Sequence, residues 1–171
     1  MIDRLSRPKL KIKATALDKS IEIVAFILLL SCYVSLGINY SFLPDIVPIH
    51  FDSTGNPNGY SNKFSLWILP GIALLVNIFF TVLGRYPHVF NYPERITEEN
   101  ALFHYTLGTR LLRWLKVSIN LVFLFITQMI VSGATANYSK FNVLFIPLVL
   151  LIVLAPIFYY LVRYRKAPEI K

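Results

Sequence analysis

Four long apolar runs constrain this chain more than any other feature of its sequence. A helix needs about 20 mostly apolar residues to cross about 30 Å of hydrocarbon, and four runs reach that length. Inside a bilayer the backbone amides and carbonyls must pair within the protein, and a helix pairs them within one segment. We therefore predict four transmembrane helices, over about residues 21–38, 64–83, 115–133 and 143–162.

The composition indicates one membrane domain over residues 1–171. Of these residues 56% are hydrophobic and 15% are charged, whereas soluble domains carry about 25% charged residues. The first run follows a basic segment, as a signal peptide would, but its apolar core is too long and no small-residue cleavage site follows it. The expected fold is an all-α integral membrane protein, a bundle of four transmembrane helices.

The lysines and arginines predict the orientation of these helices. Fifteen of them lie before the first span, in the link over residues 84–114 with its helix junction, or in the tail, whereas the other two links hold only Lys63 and Lys140. Both termini and the link over residues 84–114 are therefore expected in the cytoplasm, and the loop over residues 40–63 outside. The net charge of +8 comes without a recognition motif, so it does not indicate nucleic-acid binding.

The span interiors contain neutral polar residues but no Asp, Glu, Lys, Arg or His. Pumps and ion-coupled transporters usually carry buried ionisable groups, so this pattern disfavours them. Glu22 and Lys116 are expected at the cytoplasmic ends, reaching water or headgroups. Asn77 and Asn120 are expected roughly 8–10 Å deep, within reach of a mutual hydrogen bond. Together with Gln128 they predict either helix packing or a lipid or small-molecule site.

Prolines fall within two of the predicted spans. Pro70 lies early in the second, and Pro147 and Pro156 lie in the fourth. A proline removes a backbone donor and usually kinks a helix. Kinked helices sometimes line cavities, but more often a neighbouring helix satisfies the freed carbonyl.

The outward loop is predicted to be ordered. Residues 46–51 favour a short extended segment, with Pro48 limiting its pairing. Turn formers follow in Gly55, the Asn56-Pro57 pair and the Asn58-Gly59 pair. A loop restricted in this way suits recognition of a partner, although plain loop structure is the alternative.

The sequence gives little support for metal binding or catalysis at this loop. The calcium-loop register and its closing glutamate are missing. His50 lies near Asp45 and Asp52, but the predicted topology puts His88 and His104 on the other side of the membrane, so the three histidines do not share a metal. A catalytic His–Asp pair also lacks an obvious nucleophile. We expect no metal and no cofactor here.

The cytoplasmic link contains a predicted helix start. Thr97 is able to cap a helix, and the carboxylates of Glu98 and Glu99 suit its positive end. The following segment predicts a short helix at the membrane surface that runs on into the third span. His88, Glu94, Glu98, Glu99 and His104 match no closed zinc pattern, so a solvated turn and a capped helix are preferred.

Two motif groups resemble a known family. The outward loop reads Leu-Pro-Asp, then Pro-x-His-Phe, then Gly and Lys, at Leu43, Pro44, Asp45, Pro48, His50, Phe51, Gly55 and Lys63. The cytoplasmic link reads Pro-His-x-Phe-Asn-Tyr-Pro and Ile-Thr-x-Glu-Asn, with candidate residues Pro87, His88, Phe90, Asn91, Tyr92, Pro93, Glu99 and Asn100. About residues 20–113 thus resemble domain of unknown function 1648, the N-terminal module of SdpI-type bacterial immunity membrane proteins.

The resemblance implies a protein of the bacterial cytoplasmic membrane with a role in immunity or signalling. SdpI-type proteins protect the producing cell from a secreted peptide toxin and hold a transcriptional repressor at the membrane. On that analogy the outward loop meets a peptide and the basic cytoplasmic segments meet a protein. We expect this shorter chain to lack the additional C-terminal membrane portion of the full immunity proteins.

Three functions follow as hypotheses. The first is a non-enzymatic membrane protein that binds a peptide or protein partner through the outward loop. The second is an auxiliary subunit or permease component, with Asn77, Asn120 and Gln128 facing a partner helix or a substrate. The third is a membrane enzyme acting on lipid-linked substrates through His50 and Asp45.

Overall fold

The structure is a computed structural model that describes residues 7–52, 56–136 and 145–165. Its four helices are α1 (Ala16–Asn39), α2 (Ile68–Leu83), α3 (Glu98–Ala136) and α4 (Phe145–Arg165). All four are long and apolar enough to cross a membrane, so the predicted set of four membrane-spanning helices is confirmed and the chain is a multi-pass membrane protein. The link between α3 and α4, including Lys140, lies outside the described residues.

Helix α3 is the longest element and the centre of the bundle, contacting α1, α2 and α4. Its 39 residues measure roughly 58 Å at 1.5 Å per residue, about twice the hydrocarbon thickness. The helix predicted before the third span is therefore the first part of α3, continuous with the span. Large apolar side chains on the outer helices are exposed and suit contact with lipid, among them Phe26, Leu75 and Phe158.

Local sequence explains where α1 and α3 begin. Thr15 and Asp18 form a capping box at the start of α1, in which the Thr15 side chain accepts from the Asp18 amide and the Asp18 carboxylate accepts from the Thr15 amide. At the start of α3 the side-chain oxygen of Asn100 accepts a 2.8 Å hydrogen bond from the Thr97 amide. The predicted position of the helix start is confirmed, since α3 begins one residue after Thr97, but the side chain that accepts this capping bond is that of Asn100 and not that of Thr97.

A β-hairpin joins α1 to α2. Strands β1 (Ile46–Phe51) and β2 (Pro57–Asn62) pair antiparallel, which confirms the predicted extended segment over 46–51. A β-carbon at Gly59 would lie 2.8 Å from the His50 β-carbon, so only glycine allows this cross-strand approach. Short 3-10 turns flank the hairpin at Tyr40–Phe42 and Lys63–Trp67.

The prolines of the spans leave few unsatisfied carbonyls. Pro70 and Pro147 fall in the first turns of α2 and α4, where helical amides have no intrahelical acceptor in any case. Pro156 lies inside α4 and cannot donate to the carbonyl of Ile152, four residues earlier. The Ser118 hydroxyl of α3 donates to that carbonyl at 2.9 Å. A neighbouring helix thus satisfies the freed carbonyl, as expected.

Candidate functional site

One lysine, Lys63, closes the base of the hairpin. The Lys63 ammonium lies 3.2 Å from an Asp45 carboxylate oxygen and donates to the Leu43 carbonyl at 3.1 Å. It also lies 5.3 Å from the centre of the Tyr40 ring, within range of a cation–π contact. The Leu-Pro-Asp and Lys elements of the motif therefore close the base of the hairpin.

Several of the candidate recognition residues form the support of the hairpin. Leu43 and Pro48 are buried, and Phe51 is half-buried. With the buried Val47, Leu43 and Phe51 belong to an apolar cluster that includes Ile130 of α3. Their packing role explains why the motif needs large apolar side chains here.

The exposed surface of the hairpin includes residues that the motif does not contain. The candidate recognition residues Pro44 and His50 are exposed, and so are the apolar side chains of Ile46, Ile49 and Tyr60. The regular alternation of side chains between the two faces is broken in β1, because Val47 and its neighbour Pro48 are both buried and the strand register shifts between Pro48 and His50. Ile46 and Ile49, on either side of this buried pair, are therefore both exposed. Gly55 lies outside the described residues.

The structure does not bring Asp45 and His50 together. Asp45 directly precedes β1 and His50 is the fifth residue of that strand, so their backbones are roughly 16 Å apart at a rise of about 3.3 Å per residue. Asp45 pairs with Lys63, and the His50 Nδ1 lies 3.0 Å from the Asn58 Oδ1. Each side chain therefore has a local partner of its own.

The link between α2 and α3 folds around Arg7, from the segment before α1. Arg7 is buried and its Nη1 donates to the carbonyls of His88 and Phe90, at 3.1 and 2.6 Å. Its guanidinium lies 5.6 Å from the centre of the Tyr92 ring. Tyr92 is buried and donates to the Pro87 carbonyl at 3.1 Å, and burial raises the pKa of its phenol above the usual value.

The other motif residues of this link divide into packing, capping and exposed positions. Pro87 is buried, His88 and Phe90 are half-buried, and Asn100 caps α3. Gly108 of α3 provides the space, since a β-carbon there would meet Phe90 and Tyr92 at 3.1 Å. The exposed positions are Asn91, Pro93 and Glu99.

One pair of the possible metal ligands meets in this link. The His104 Nε2 of α3 lies 2.5 Å from a Glu94 carboxylate oxygen, and the His104 ring packs 5.2 Å from the Tyr164 ring of α4. Within the described ranges, no three His, Cys, Asp or Glu side chains are grouped closely enough to hold a metal ion. The pair joins the link to α4.

Inside the bundle, Asn120 connects three helices. Its side-chain oxygen accepts a 2.7 Å hydrogen bond from Asn77 of α2, which confirms the predicted pairing. Its side-chain nitrogen donates to the Ala25 carbonyl of α1 at 2.7 Å. Gln128 instead accepts from the Ser35 hydroxyl of α1 at 2.7 Å. Asn77 and Asn120 therefore satisfy each other within the chain.

A row of ion pairs between α1 and α3, which we call the ladder, was not predicted from the sequence. Asp18 is bound by Arg110, with its Nε at 2.8 Å, and lies 3.5 Å from Arg113; Glu22 pairs with Arg113 at 3.3 Å and with Lys116. The acids are four residues apart and the bases three apart, so each set shares a helix face. This spacing is the sequence signal from which the ion pairs could have been predicted.

The ladder corrects the expectation for Lys116. Only 2% of its side chain is exposed, so it does not reach water or headgroups as expected. Instead it binds Glu22 and donates to the Thr81 hydroxyl of α2 at 3.0 Å. Lys116 thereby connects three segments: the start of α1, the end of α2 and the first part of α3. We call the region formed by these three segments the basic end.

A cavity of about 480 Å³ opens at the basic end between these three elements. Its charged lining residues are Lys11, Glu22, Arg85 and Arg113. A second groove of about 440 Å³ lies between α3 and α4, lined mainly by apolar side chains and by Arg110.

These features define a class: a multi-pass helical membrane protein with a β-hairpin between its first two spans. Residues 26–74, from α1 through the hairpin into α2, match the model of the family described as domain of unknown function DUF1648. This match confirms the predicted resemblance for those residues. The motif of the second link lies beyond the matched segment.

Comparison with curated proteins gives one further similarity. An uncharacterized protein from Archaeoglobus fulgidus is 34% identical over 64 residues, which are 33% of this chain and 35% of the relative. The chain thus spans about a third of that relative's length. No solved structure gives a significant match.

Proposed function

We propose that this chain is a non-enzymatic membrane protein that binds a peptide or protein through the β-hairpin, in an immunity or signalling role. One observation carries the proposal: the hairpin is held firmly by Lys63 and by the apolar cluster, yet it exposes Ile46, Ile49 and Tyr60. Exposed apolar residues on an ordered element outside the lipid-facing spans favour contact with a partner.

The hairpin suits a partner in an extended conformation. Strand β1 carries the contacts of the sheet with α3, so β2 is the outer strand. Pro48 removes an amide from β1, whereas residues 58–62 of β2 all retain theirs. An extended segment pairing with β2 would gain backbone hydrogen bonds, and Tyr60 would contribute apolar contact.

The resemblance to SdpI-type proteins supports a secreted peptide as this partner. The lysine and arginine distribution supports a location of the hairpin outside the bacterial cytoplasmic membrane and of both termini in the cytoplasm. The exposed Asn91 and Pro93 of the second link are then the surface for a cytoplasmic protein. Arg7 is not part of that surface, because it is buried.

Site-specific photo-crosslinking in intact cells tests this function. A photoreactive residue is placed at Ile49, and a matched control at Leu75, which is exposed on α2. We expect a discrete adduct with an extracytoplasmic peptide or protein from position 49, and its loss when Tyr60→Ser is added. Adducts with lipid alone at both positions would refute the proposal.

A second candidate, an auxiliary subunit of a membrane complex, is favoured by one contact. The Ser35–Gln128 hydrogen bond lies on the exposed surface of the bundle, where a polar pair suits a partner helix better than lipid. Co-purification in mild detergent tests it, with Gln128→Leu expected to release a partner protein. Asn77 and Asn120 are not part of this proposed contact with a partner helix, since their side chains hydrogen-bond to each other.

A further inference from the structure

The cavity at the basic end carries positive charge that the protein does not neutralise. Glu22 is the acidic residue of its lining, and its carboxylate is already bound by Arg113 and Lys116. Among the described residues, no acidic side chain forms an ion pair with Lys11 or Arg85. The cavity therefore presents two cations with no anionic partner in the described parts of the chain.

The position of the cavity matches the level of lipid headgroups. Lys11 precedes the first residue of α1 by five positions, and Arg85 follows the last residue of α2 by two. Both therefore lie where the helices leave the hydrocarbon. Phe79 and Val82, on the last turns of α2, are exposed and suit contact with acyl chains. An amphiphile is thus able to place its polar and apolar parts side by side here.

We propose that this cavity binds the phosphate group of an anionic phospholipid. Basic pockets between transmembrane helices bind such headgroups, because lysine and arginine offer both charge and hydrogen-bond donors. The volume of about 480 Å³ falls in the range of small-molecule sites. The assignment is independent of the hairpin and of any partner that it binds.

Native mass spectrometry of the full chain in detergent tests this site, with phosphatidylglycerol and phosphatidylcholine as probes. We expect phosphatidylglycerol to bind about tenfold or more tightly than phosphatidylcholine. The double substitution Lys11→Gln and Arg85→Gln should weaken phosphatidylglycerol binding about thirtyfold, the factor expected for two cations at a membrane surface. Both residues are exposed, so the substitutions leave the core unchanged.

The matched control removes the same charge elsewhere. Lys9→Gln with Arg95→Gln changes two exposed residues that do not line the cavity, and binding should stay the same. Equal weakening by both double substitutions would overturn the proposal, because general surface charge would then explain it. Equal binding of the two lipids, or equally tight binding of soluble glycerol 3-phosphate, would also overturn it.

A second measurement needs no substitution. Photoreactive phosphatidylglycerol is added to the unaltered chain, and labelled peptides are identified by mass spectrometry. Labels within residues 9–13, 80–87 or 109–113, which contain lining residues of the cavity, support the site. Labels confined to segments that do not line the cavity overturn it.

Discussion

The two links on either side of α2 are held in the same way but by chain segments of different origin. Lys63 bonds the Leu43 carbonyl and lies over the Tyr40 ring, and Arg7 bonds two carbonyls of the second link and lies over the Tyr92 ring. In both, one cation satisfies carbonyls that the link would otherwise leave unpaired. The recurrence shows how short extramembrane links become ordered.

The difference lies in where the cation comes from and how deeply it is buried. Lys63 belongs to the linker it closes, is 20% exposed and has Asp45 as a partner. Arg7 comes from the far side of α1, is 4% exposed and forms no ion pair with an acidic side chain among the described residues. The hairpin is therefore closed by its own residues, whereas the second link depends on the amino-terminal segment.

The acidic residues repeat this contrast. Asp18 at the basic end has a side chain that is 1% exposed, and Asp45 beside the hairpin has one that is 87% exposed. A buried carboxylate between two arginines leaves uncompensated charge when it is removed, and an exposed one does not. Substitutions at the two ends should therefore differ in cost.

The largest effect is expected for Asp18→Ala. It breaks the capping box and leaves Arg110 without its acidic partner, and we expect a loss of about 3 kcal/mol. Titration with a denaturing detergent, followed by circular dichroism, measures the free energy of unfolding. Asp18→Asn keeps an oxygen for the cap and isolates the contribution of charge. A loss below about 1 kcal/mol for both would contradict the ladder.

The next largest effect is expected for Arg7→Ala, at about 2 kcal/mol. Two hydrogen bonds from a charged donor are lost together with the contact to Tyr92. The cost stays below that of Asp18 because Nε and Nη2 of Arg7 have no hydrogen-bond partner among the described residues. Thermal unfolding in detergent, with Arg95→Ala as the exposed control, provides the measurement. Equal melting temperatures for the two variants would show that the second link does not need Arg7.

Sequence alone predicted the features that lipid imposes. The four spans follow from the length and apolarity of the runs, because a helix pairs its backbone amides and carbonyls within one segment and so tolerates hydrocarbon. The Asn77–Asn120 hydrogen bond was predicted because both side chains were expected at the same depth in the membrane. The carbonyl that Pro156 leaves without an intrahelical donor accepts a hydrogen bond from a neighbouring helix, as was also expected. The extended segment at 46–51 followed from its turn-rich surroundings.

The ion pairs of the ladder and the packing roles of the motif residues could not be predicted from the sequence. The spacing of Asp18 and Glu22 is visible, but pairing them with Arg110 and Arg113 requires knowing that α1 packs on α3. The hairpin poses the same difficulty, because a motif does not say which face of a strand packs on the bundle. Leu43 supports the hairpin from inside, and the exposed Tyr60 was missed.

A smaller effect is expected for Lys63→Ala, at about 1 kcal/mol, because its ammonium is partly solvated. The loss should be local: amide hydrogen exchange should quicken in the hairpin while the basic end keeps its protection. Lys19→Ala, exposed on α1, is the control. Faster exchange throughout the chain would mean that the hairpin is not closed independently of the bundle.

The smallest effect is expected for Asp45→Ala, at below about 1 kcal/mol, because an exposed ion pair gains little over solvated charges. Lys63 keeps the Leu43 carbonyl and the Tyr40 ring after the substitution, so the hairpin stays closed. The same denaturing titration as for Asp18→Ala measures the difference directly. If Asp45→Ala were as costly as Asp18→Ala, burial would not explain the contrast between the two ends. A small loss of stability combined with a loss of the crosslink at Ile49 would instead place Asp45 in the partner-binding surface, since an exposed carboxylate is free to meet a ligand.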